Sequence, residues 1–486
     1  MRPTVKFLTD DLIDRIISEA RESLCKVGVT IHNDSVVSML DDNGAAVTGN
    51  KNHVSFTQDM IDNALKSVPS RFNLYDAPGN QTHDFSGFNV HFTPGSSALT
   101  FLDAGTNSMR KPLTEDYVNY VKLVHQLPHI ESQSTAMVSA DVHDSISDSY
   151  RLFLSLLYST KPVITGTFRA ESFEVMKNML LAVRGGSEEL KNKPLAVFSC
   201  CPTSPFKWSD VTSRSVVDCA NNFIPVEFIA MPLAGFVAPV TLVGTLIQHT
   251  AETLSGIIIS QLTMPGTPVL YGGSPAIFDV RYETTPMGAV ETMMIDCAYN
   301  EIGKSLNIPT QAYISMSDSK QLDVQAGLET GMGATLAALA GINNVSGPGM
   351  IDFESCFSLE KLLIDNESCG MTLRMLKGIE PREDFPSTDR FKELIRDEHL
   401  LISDHTRKYL RDEHYFPGQV INRANKARWM EEGGTTMTDR ASEEVKNIIK
   451  KYEPTPVSEE IKNELINLMK NEAAQYGQNT LPEFQK

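Results

Sequence analysis

The stretch PVLYGGSPAIFDVRYETTPMG, residues 268–288, carries the pattern from which the fold is predicted. A short apolar run typical of a buried strand is followed by two glycines, a polar loop and a helical segment near 287–306. Gly272 and Gly273 lack a Cβ, so the backbone can approach a ligand closely at this point. No Lys-Ser/Thr pair follows for a phosphate loop, and no third glycine completes a dinucleotide fingerprint. The loop is therefore expected to bind another kind of ligand.

Strand-like and helical segments alternate in the same way along most of the chain. The candidate strands are NVHFTPGSSALTFLD, SQSTAMVSA, PVITGTF, LAVFSCC, VEFIAMP, TPVLYGG, TQAYIS and INNVSG. The candidate helices lie near 114–127, 148–159, 172–184, 209–222, 240–263, 287–306 and 325–340, and the last is FSLEKLLIDNESCGMTLRMLKG. Eight strand–helix units predict an α/β fold, a (β/α)8 TIM barrel, whose usual size is about 250 residues. The alternative, a doubly wound sheet, would need fewer strands and a topological switch point.

The barrel accounts for only part of the chain. We expect an N-terminal helical extension over residues 1–87, the barrel over 88–380 and a C-terminal helical extension over 381–486. The first region contains LTDDLIDRIISEARESLCKVG, whose apolar residues recur at helical spacing. The last region is charged and helical, and its segments either pack on the barrel or form contacts between subunits. We expect a homo-oligomer.

The composition excludes several classes of protein. Hydrophobic residues make up 41% and charged residues 21%, as in ordinary globular proteins. The net charge of −18 argues against a nucleic-acid partner, which requires clustered Lys and Arg. The seven cysteines form no CxxC pair and lie mostly in apolar runs, as free thiols in a reducing compartment do. Signal-peptide character and apolar runs of about 20 residues are both missing, so we expect a cytoplasmic protein without a membrane partner.

In a (β/α)8 barrel the active site lies at the C-terminal ends of the strands. Besides the 268–288 stretch, the residues that follow the candidate strands are Gly95, Ser96 and Ser97 (or Asp103), Ser139, Asp141 and His143, Thr165, Gly166 and Thr167, Ser204, Phe206 and Trp208, Met231, Pro232 and Phe236, Ser317, Asp318 and Lys320, and Ser346, Gly347 and Gly349. This set lacks the paired carboxylates or Ser-His-Asp groups of general acid–base chemistry. It favours a site that binds and orients a substrate whose reactive partner comes from elsewhere, with no catalytic residue on this chain.

Aromatic side chains near these strand ends indicate how such a substrate is bound. A quaternary ammonium has no N–H donor, and each aromatic face attracts it by about 0.5–2 kcal/mol. Arg281 would hold a carboxylate through two parallel hydrogen bonds. The predicted substrate-binding residues of this kind are Tyr271, Gly272, Gly273, Phe278, Arg281, Tyr282, Phe206 and Phe236. The alternative is structural, because aromatic residues often belong to the core and Arg281 can pair with Asp279.

The sequence predicts no metal site. Asp141 and His143 have no third ligand nearby in the sequence, and the neighbours Cys200 and Cys201 would point to opposite faces of a strand. The segment DVHDSI begins like the Asp-x-His-x-x-Gly signature of corrinoid binding, but Ile146 stands where the glycine is required. We therefore expect no tightly bound cofactor on this chain.

Four segments together resemble the trimethylamine methyltransferase (MttB-like) family: PVLYGGSPAIFDVRY, VETMMIDCAYNEIGKSLNIPT, DVQAGLETGMGATLAALAGINNVSGPGMIDFE and LLIDNESCGMTLRMLKGI. The resemblance is strong over residues 90–380 and weaker in the flanks. It implies a (β/α)8 barrel that passes a methyl group from a methylated amine to Co(I). It also implies that the corrinoid is supplied by a separate partner protein.

The chain departs from the founding members of that family in one respect. Those members carry pyrrolysine in the barrel cavity, whereas all 486 residues here are standard. We place the corresponding position near Asn343–Gly349, where Ser346 stands. Family members without pyrrolysine resemble demethylases of quaternary amines, so the resemblance implies glycine betaine as substrate. Ser97 and Ser346 are further candidates for contacts with the methyl donor.

Other functions remain open at the level of sequence. Proline betaine, carnitine and γ-butyrobetaine are alternative substrates. A demethylase of trimethylamine would need a group that activates the amine. A non-catalytic betaine-binding barrel would bind its ligand without turnover, and an unrelated barrel lyase would use Asp279 or Lys320.

Overall fold

The computed structural model describes residues 1–49, 52–453, 457–478 and 480–482. Eight parallel strands form its centre. They are β1 (His91–Thr93), β2 (Gln133–Ser134), β3 (Val163–Thr165), β4 (Ala196–Cys200), β5 (Val226–Ala230), β6 (Val269–Gly273), β7 (Gln311–Tyr313) and β8 (Asn344–Ser346). Each coincides with one of the apolar runs that the sequence analysis identified as a strand.

The strands close into a barrel. Strands β2 to β6 pair successively in parallel, and β7, β8 and β1 form a second parallel set. The two sets join on one side through the parallel bridge of Tyr271 with Thr310. They join on the other side where the amide of Glu131 donates to the carbonyl of Phe92 at 3.1 Å. The prediction of a (β/α)8 barrel with helical extensions is therefore confirmed.

A helix follows each strand and packs outside the barrel. The eight helices are α1 (Thr114–Gln126), α2 (Ser147–Tyr158), α3 (Ser172–Arg184), α4 (Asp210–Asn221), α5 (Leu242–Thr263), α6 (Val290–Ser305), α7 (Val324–Ala340) and α8 (Leu359–Leu376). Several begin at a side-chain cap; Ser209, Asp323 and Ser358, for example, accept from a backbone amide of the first turn. Helix α5 is buried around nearly its whole circumference, because the N-terminal region covers its outer face.

The N-terminal region contains strands as well as the predicted helices. Its helices are Asp10–Lys26, Asp34–Asp42 and Gln58–Ser67, and its strands are Val29–Ile31, Ala46–Thr48, His53–Ser55, Phe72–Tyr75 and Gln81–Phe85. These strands are too short for a period-two pattern to distinguish them from loops. One of them, Val29–Ile31, pairs in parallel with Lys207–Trp208 and so ties this region to the loop after β4.

A hairpin closes the N-terminal end of the barrel. It consists of the antiparallel strands Phe72–Tyr75 and Gln81–Phe85. Its apolar side chains form one buried cluster with residues that point into the barrel: Phe72, Leu74, Phe85, Ile164, Val197 and Leu270. The barrel is therefore sealed at this end and open to ligands only from the other.

A small sheet lies over the C-terminal end. Strands Met350–Ile351 and Cys356–Phe357 form a hairpin, and the second of them pairs with Thr100–Asp103, which pairs in turn with Ser108–Arg110. Nearby, Leu233–Ala234 and Ala276–Ile277 pair in parallel and join the loops after β5 and β6. These elements shape the mouth of the barrel.

The C-terminal region is helical, as predicted, but only its last two helices are packed. Met437–Lys450 packs on α1 and α8, and Glu459–Gln475 packs on α2 and α3. Thr388–Asp397, Asp404–Glu413 and Lys426–Glu431 contain no buried residue. Assembly into a homo-oligomer stays a prediction. Across the described residues, no helix combines the length and apolar character that a bilayer-spanning segment needs.

Gly256 provides a test of how tightly the helical layer packs on the barrel. A Cβ added there would lie 2.5 Å from the ring of Phe228 on β5 and 2.8 Å from the indole of Trp208. We expect Gly256→Ala to lower the free energy of unfolding by about 1–3 kcal/mol, measured by denaturant unfolding. Gly327→Ala is the matched control, since no atom lies within 4 Å of its added Cβ in α7. That variant should be unchanged or gain up to about 1 kcal/mol, and equal losses would contradict the packing argument.

Candidate functional site

A cavity of about 440 Å³ opens at the C-terminal end of the barrel. Its polar wall consists mainly of hydroxyl groups from the ends of β1 to β4 and β6: Ser96, Ser97, Thr135, Thr165, Thr167, Ser199 and Ser274. Its aromatic side chains are Phe168, Tyr313 and Phe353, and its charged side chains are Arg151 and Glu354. The cavity thus combines aromatic faces with one fixed group of each charge.

The tip of the Met350–Phe357 hairpin supplies Phe353 and Glu354. Asp352, Phe353 and Glu354 have φ values of +52°, +55° and +70°, so three successive non-glycine residues adopt the left-handed conformation. Such backbone is disfavoured for residues with a Cβ and is concentrated at ligand-binding sites. Lys320 supports the turn, because its Nζ lies 3.8 Å from Asp352 and 3.8 Å from the centre of the Phe353 ring.

Glu354 has a carboxyl group without a partner. Among the described residues, none donates a hydrogen bond to it or forms an ion pair with it. Loss of hydration inside the cavity raises the pKa of Glu354 to about 8. An unpaired carboxyl in a partly desolvated position is the arrangement expected where a ligand supplies the positive charge.

A second carboxyl group lies beneath the cavity. Glu227 on β5 is fully buried and accepts from the hydroxyl of Ser199 at 2.7 Å and from the amide of Asn344 at 3.1 Å. The network continues across the barrel, because Thr93 donates to Asn344 at 2.8 Å. Burial raises the pKa of Glu227 to about 7, although both hydrogen bonds oppose that rise. Ser199 therefore links this buried carboxyl to the cavity wall.

Arg151 is the positively charged side chain of the cavity wall. Its guanidinium donates to Asp148 at 3.0 Å, to the carbonyl of Thr135 at 3.1 Å and to the hydroxyl of Ser97 at 3.3 Å. The ring of Phe168 lies against it, with 4.9 Å between the guanidinium carbon and the ring centre. Both members of the Arg151–Asp148 pair are buried, so the guanidinium is held rigidly where it meets the cavity.

The cavity wall holds no activated nucleophile of the cysteine type. Cys201 lines the cavity, and burial raises the pKa of its thiol well above the ordinary value. Cys200 points the other way and donates to Ser215 at 3.6 Å, as the alternation of a strand requires. Burial and the charges of Glu227 and Glu354 likewise raise the pKa of the Tyr313 phenol, whose oxygen lies 2.7 Å from Ser96 Oγ.

Of the predicted site residues, Ser97 lines the cavity. Ser346 is buried on β8, with a hydroxyl that has no partner among the described residues. Contacts of either residue with a substrate stay predictions. Gly272 and Gly273 are explained by packing: a Cβ would collide with Gln311 at the first and with His249 at the second. The residue directly after them, Ser274, reaches the cavity.

Two predicted aromatic residues lie away from the cavity. Tyr271 is fully buried, donates to Thr250 at 2.8 Å and packs against His249 and Tyr299, so it faces α5 and α6. Phe206 packs on the core next to the N-terminal sheet, where its carbonyl accepts from the amide of Thr30 at 2.9 Å. Both residues therefore belong to the core, which is the structural alternative given in the sequence analysis.

The remaining predicted residues form a group on the outer rim. Phe236 and Phe278 stack with ring centres 4.8 Å apart, and Phe236 is 65% exposed. Arg281 pairs with Asp279 at 2.5 Å, and its guanidinium lies 5.5 Å from the ring centre of Tyr282. The Arg281 side chain is 76% exposed. These residues lie together on the loops after β5 and β6, but none of them lines the cavity.

The sequence analysis expected a rim without paired carboxylates, and it named neither Glu227 nor Glu354. It missed Glu227 because the apolar run VEFIA reads as core, and Glu354 because it lies eight residues beyond the last barrel strand. A charged residue inside an otherwise apolar strand was the available signal for Glu227, since buried carboxyls are rare without a role. Asp141 and His143 serve locally: the former accepts from Thr114, and the latter from the amide of Ser145.

A (β/α)8 barrel with an open cavity at the C-terminal ends of its strands is the arrangement of an enzyme of the TIM-barrel type. Comparison with known proteins gives its family. Residues 1–477 match the family described as trimethylamine methyltransferase (MTTB), and the chain belongs to that family. It is a methyltransferase.

Its relatives act on more than one methylated amine. The chain is 28% identical over 471 residues to the trimethylamine methyltransferase MttB of Desulfitobacterium hafniense (strain DSM 10664 / DCB-2), covering 96% of this chain and 94% of the relative. It is 28% identical over 461 residues to the glycine betaine methyltransferase of D. hafniense (strain Y51), covering 94% and 95%. The crystal structure of the Methanosarcina barkeri monomethylamine methyltransferase (MtmB) superimposes with a TM-score of 0.51 at 13% identity, over 96% of this chain and 88% of that one. This last likeness concerns the fold alone.

Proposed function

We propose that this protein transfers a methyl group from a quaternary amine, with glycine betaine as the best candidate, to Co(I) of a corrinoid bound by a separate protein. The observation that carries the proposal is the unpaired carboxyl of Glu354 beside the ring of Phe353 in the barrel cavity. A permanent cation without N–H groups is attracted by both groups and needs no hydrogen-bond partner.

The two charged side chains of the cavity, one of each sign, suit a betaine. The quaternary ammonium would lie near Glu354, Phe353 and Tyr313. The carboxylate would lie near Arg151 and the surrounding hydroxyls, which can donate to it. Asp148 already offsets the charge of Arg151, so Arg151 supplies directed N–H donors more than net charge.

The chemistry asks little of the protein beyond binding and orientation. When the methyl group leaves, the electron pair of the C–N bond stays on nitrogen, and the product is a neutral tertiary amine. No acid has to protonate the leaving group. The corrinoid supplies the nucleophile, and this chain excludes water and aligns the methyl group with the mouth of the barrel.

A separate corrinoid protein would approach the C-terminal face. The loops after β5 and β6 expose apolar side chains there, including Phe236, Val240, Val280 and Tyr282. Such side chains supply the apolar surface that a transient partner can cover. The seven unpaired cysteines suit a reducing compartment, so we place the protein in the cytoplasm.

The proposal is tested by mixing the purified protein with chemically reduced cobalamin and one amine at a time. The panel holds glycine betaine, proline betaine, carnitine, γ-butyrobetaine, choline and trimethylamine, and the visible spectrum reports methylation of cobalt. We expect methylation with glycine betaine. If a betaine binds but neither free cobalamin nor a matched corrinoid protein is methylated, the chain is a binding protein and the proposal fails.

Trimethylamine is the second candidate, and the same carboxyl favours it. Protonated trimethylamine carries one N–H, which could donate directly to Glu354. Methylation of cobalt with trimethylamine alone would establish this alternative. Pyrrolysine is absent from the chain, so another group would have to activate the amine.

Two arginines can be compared as the anchor for a substrate carboxylate. We expect Arg151→Lys to weaken glycine betaine binding about tenfold and to leave tetramethylammonium binding unchanged, because only the first ligand has a carboxylate. Calorimetric titration with both ligands measures the difference. Arg281→Ala is measured in parallel, since the sequence analysis predicts the anchor there. If Arg281→Ala weakens the binding of glycine betaine but not of tetramethylammonium, and Arg151→Lys weakens neither, the carboxylate anchor is Arg281 on the outer rim.

A further inference from the structure

We propose a second site in this protein: a divalent transition-metal site, best suited to Zn²⁺, formed by His83, His91 and Glu131 at the closed end of the barrel. One ligand atom from each of these residues lies within 4.8 Å of the other two. His83 belongs to the hairpin that closes the barrel, His91 begins β1, and Glu131 lies two residues before the first residue of β2. The site is at the opposite end from the cavity and is independent of methyl transfer.

His83 provides the strongest evidence for a ligand. It is fully buried, and its Nε2 has no hydrogen-bond partner among the described residues. Its Nδ1 lies 2.8 Å from Thr82 Oγ1, and that hydroxyl lies 3.3 Å from the carbonyl of Leu74. Both hydrogen bonds form if Nδ1–H donates to Thr82 and Thr82 donates to Leu74. The lone pair of Nε2 is then free, and the opposite nitrogen is fixed by an oxygen acceptor, as in metal-binding histidines.

The lone pair of Nδ1 in His91 can also become available to a metal, through a change of tautomer. Its Nδ1 contacts the carboxylate of Glu131, and its ring centre lies 4.7 Å from that of His83. Its Nε2 lies 3.2 Å from the amide and 3.4 Å from the carbonyl of Asp84. If Nε2–H donates to this carbonyl, Nδ1 becomes free to bind a metal. The metal then lies between Nδ1 and the carboxylate of Glu131, and the neutral ring keeps its single proton on Nε2, so the exchange of tautomers releases no proton.

Two imidazoles and one carboxylate form a ligand set typical of Zn²⁺ with one open position, which water can fill. The ligand atoms of a tetrahedral zinc are about 3.3 Å apart, so the direct contact between His91 and Glu131 would have to open to admit the ion, and His83 would have to move closer to both. Lys161 lies close by; its ammonium donates to the carbonyls of Val124, Leu127 and Ile130. Its positive charge opposes a metal, and the carboxylate of Glu131 counteracts it.

Metal binding at this site is expected to stabilise the fold. A metal bound at this point would join the hairpin to β1 and to the segment before β2, and would add to the packing and the hydrogen bonds that already connect them. The N-terminal end of a TIM barrel usually contributes to stability and not to catalysis. Metal removal should therefore lower the thermal midpoint and leave the cavity intact.

The test uses the full chain, stripped with a chelator and then titrated with Zn²⁺, followed by calorimetry and by metal analysis after gel filtration. We expect one Zn²⁺ per chain and a higher thermal midpoint with Zn²⁺. Co²⁺ serves as a spectroscopic probe, since its visible d–d bands should shift on binding to nitrogen ligands. His83→Phe keeps a ring in the buried position and should weaken Zn²⁺ binding at least tenfold and abolish the stabilisation.

His249→Phe is the matched control. His249 is also fully buried with an unpartnered nitrogen, but it packs between Tyr271 and Tyr299 with no carboxylate cluster. The His249→Phe variant should retain Zn²⁺ binding. If His83→Phe does not fold, Glu131→Gln replaces it, because the Glu131 side chain is 35% exposed. Failure of the wild-type protein to bind Zn²⁺ one-to-one, or undiminished binding in these variants, overturns the proposal.

Discussion

At about pH 9, where the carboxyl of Glu354 is largely ionised, Glu354→Gln is expected to weaken the binding of glycine betaine and of tetramethylammonium by about thirtyfold each. The substitution keeps the size of the side chain and removes the negative charge that no described residue neutralises. Loss of a partly desolvated charge pair costs about 2 kcal/mol, which corresponds to that factor. Because the ammonium end of the two ligands is the same, the two losses should be equal. Calorimetric titration of both ligands measures this directly.

The pH dependence of ligand affinity gives a second and more specific test of the role of Glu354. The pKa of Glu354 is raised to about 8 in the free protein, so much of the carboxyl is protonated at pH 7. A bound cation favours the carboxylate form, and binding therefore releases protons near neutral pH. Affinity should rise as pH increases from about 6 to 9 and should level off above the free-protein pKa. The Glu354→Gln variant should show no such rise.

Asp352→Asn is the control for these measurements. Asp352 lies on the same hairpin tip, pairs with Lys320 and does not line the cavity. Its variant should keep both the affinity and the pH dependence of the wild-type protein. If Asp352→Asn loses as much as Glu354→Gln, the effect comes from the turn and not from the carboxyl of Glu354.

The barrel was predictable because its elements are long or regular enough to leave a pattern. The segment LAVFSCC became β4 (Ala196–Cys200), and the helix predicted near 240–263 became α5 (Leu242–Thr263). A buried parallel strand needs an uninterrupted apolar run, and its following helix needs apolar residues at helical spacing. The short strands Ala46–Thr48 and His53–Ser55 leave no such pattern, and the sequence analysis missed them.

The site was less predictable because it depends on side-chain direction. The aromatic residues near β6 were assigned by their distance along the chain from a strand end. Tyr271 lies on β6 itself, where neighbouring residues alternate between the barrel interior and the helices, and it faces the helices. Phe353 and Glu354 reach the cavity only because three left-handed residues turn the hairpin inward. Asp adopts this conformation more readily than most residues, but no propensity rule predicts it for Phe and Glu.

The anchor of that hairpin is a buried ion pair on α8. Lys361 and Asp365 lie 2.6 Å apart, and each side chain is only 2% exposed. Lys361 also donates to Thr330 at 2.7 Å, and Asp365 accepts from the amide of Gly349 at 2.7 Å. Gly349 directly precedes the first hairpin strand, so the pair holds the segment that carries Glu354.

Lys361→Met should be among the most destabilising single substitutions in the barrel. It leaves the carboxyl of Asp365 buried without its cation, and the loss of one partner of a buried pair costs about 3–5 kcal/mol. Unfolding by denaturant, followed by fluorescence and by circular dichroism, measures the loss. The Lys361→Met/Asp365→Asn double variant should recover most of it, because the amide oxygen still accepts from Gly349 and no charge is buried.

The sign of the pH dependence separates this explanation from a simple packing defect. Without Lys361, the pKa of Asp365 in the folded state rises further above its value in the unfolded chain. The unfolded state then loses its proton first as pH rises, and the variant becomes less stable relative to wild type once the pH exceeds the raised folded-state pKa of Asp365 in the wild-type protein, by up to about 1.4 kcal/mol per pH unit. The deficit should be small in acid, grow with pH and be absent from the double variant. A deficit that is the same at every pH would mean that the methionine fits poorly and that the charge of Lys361 contributes nothing.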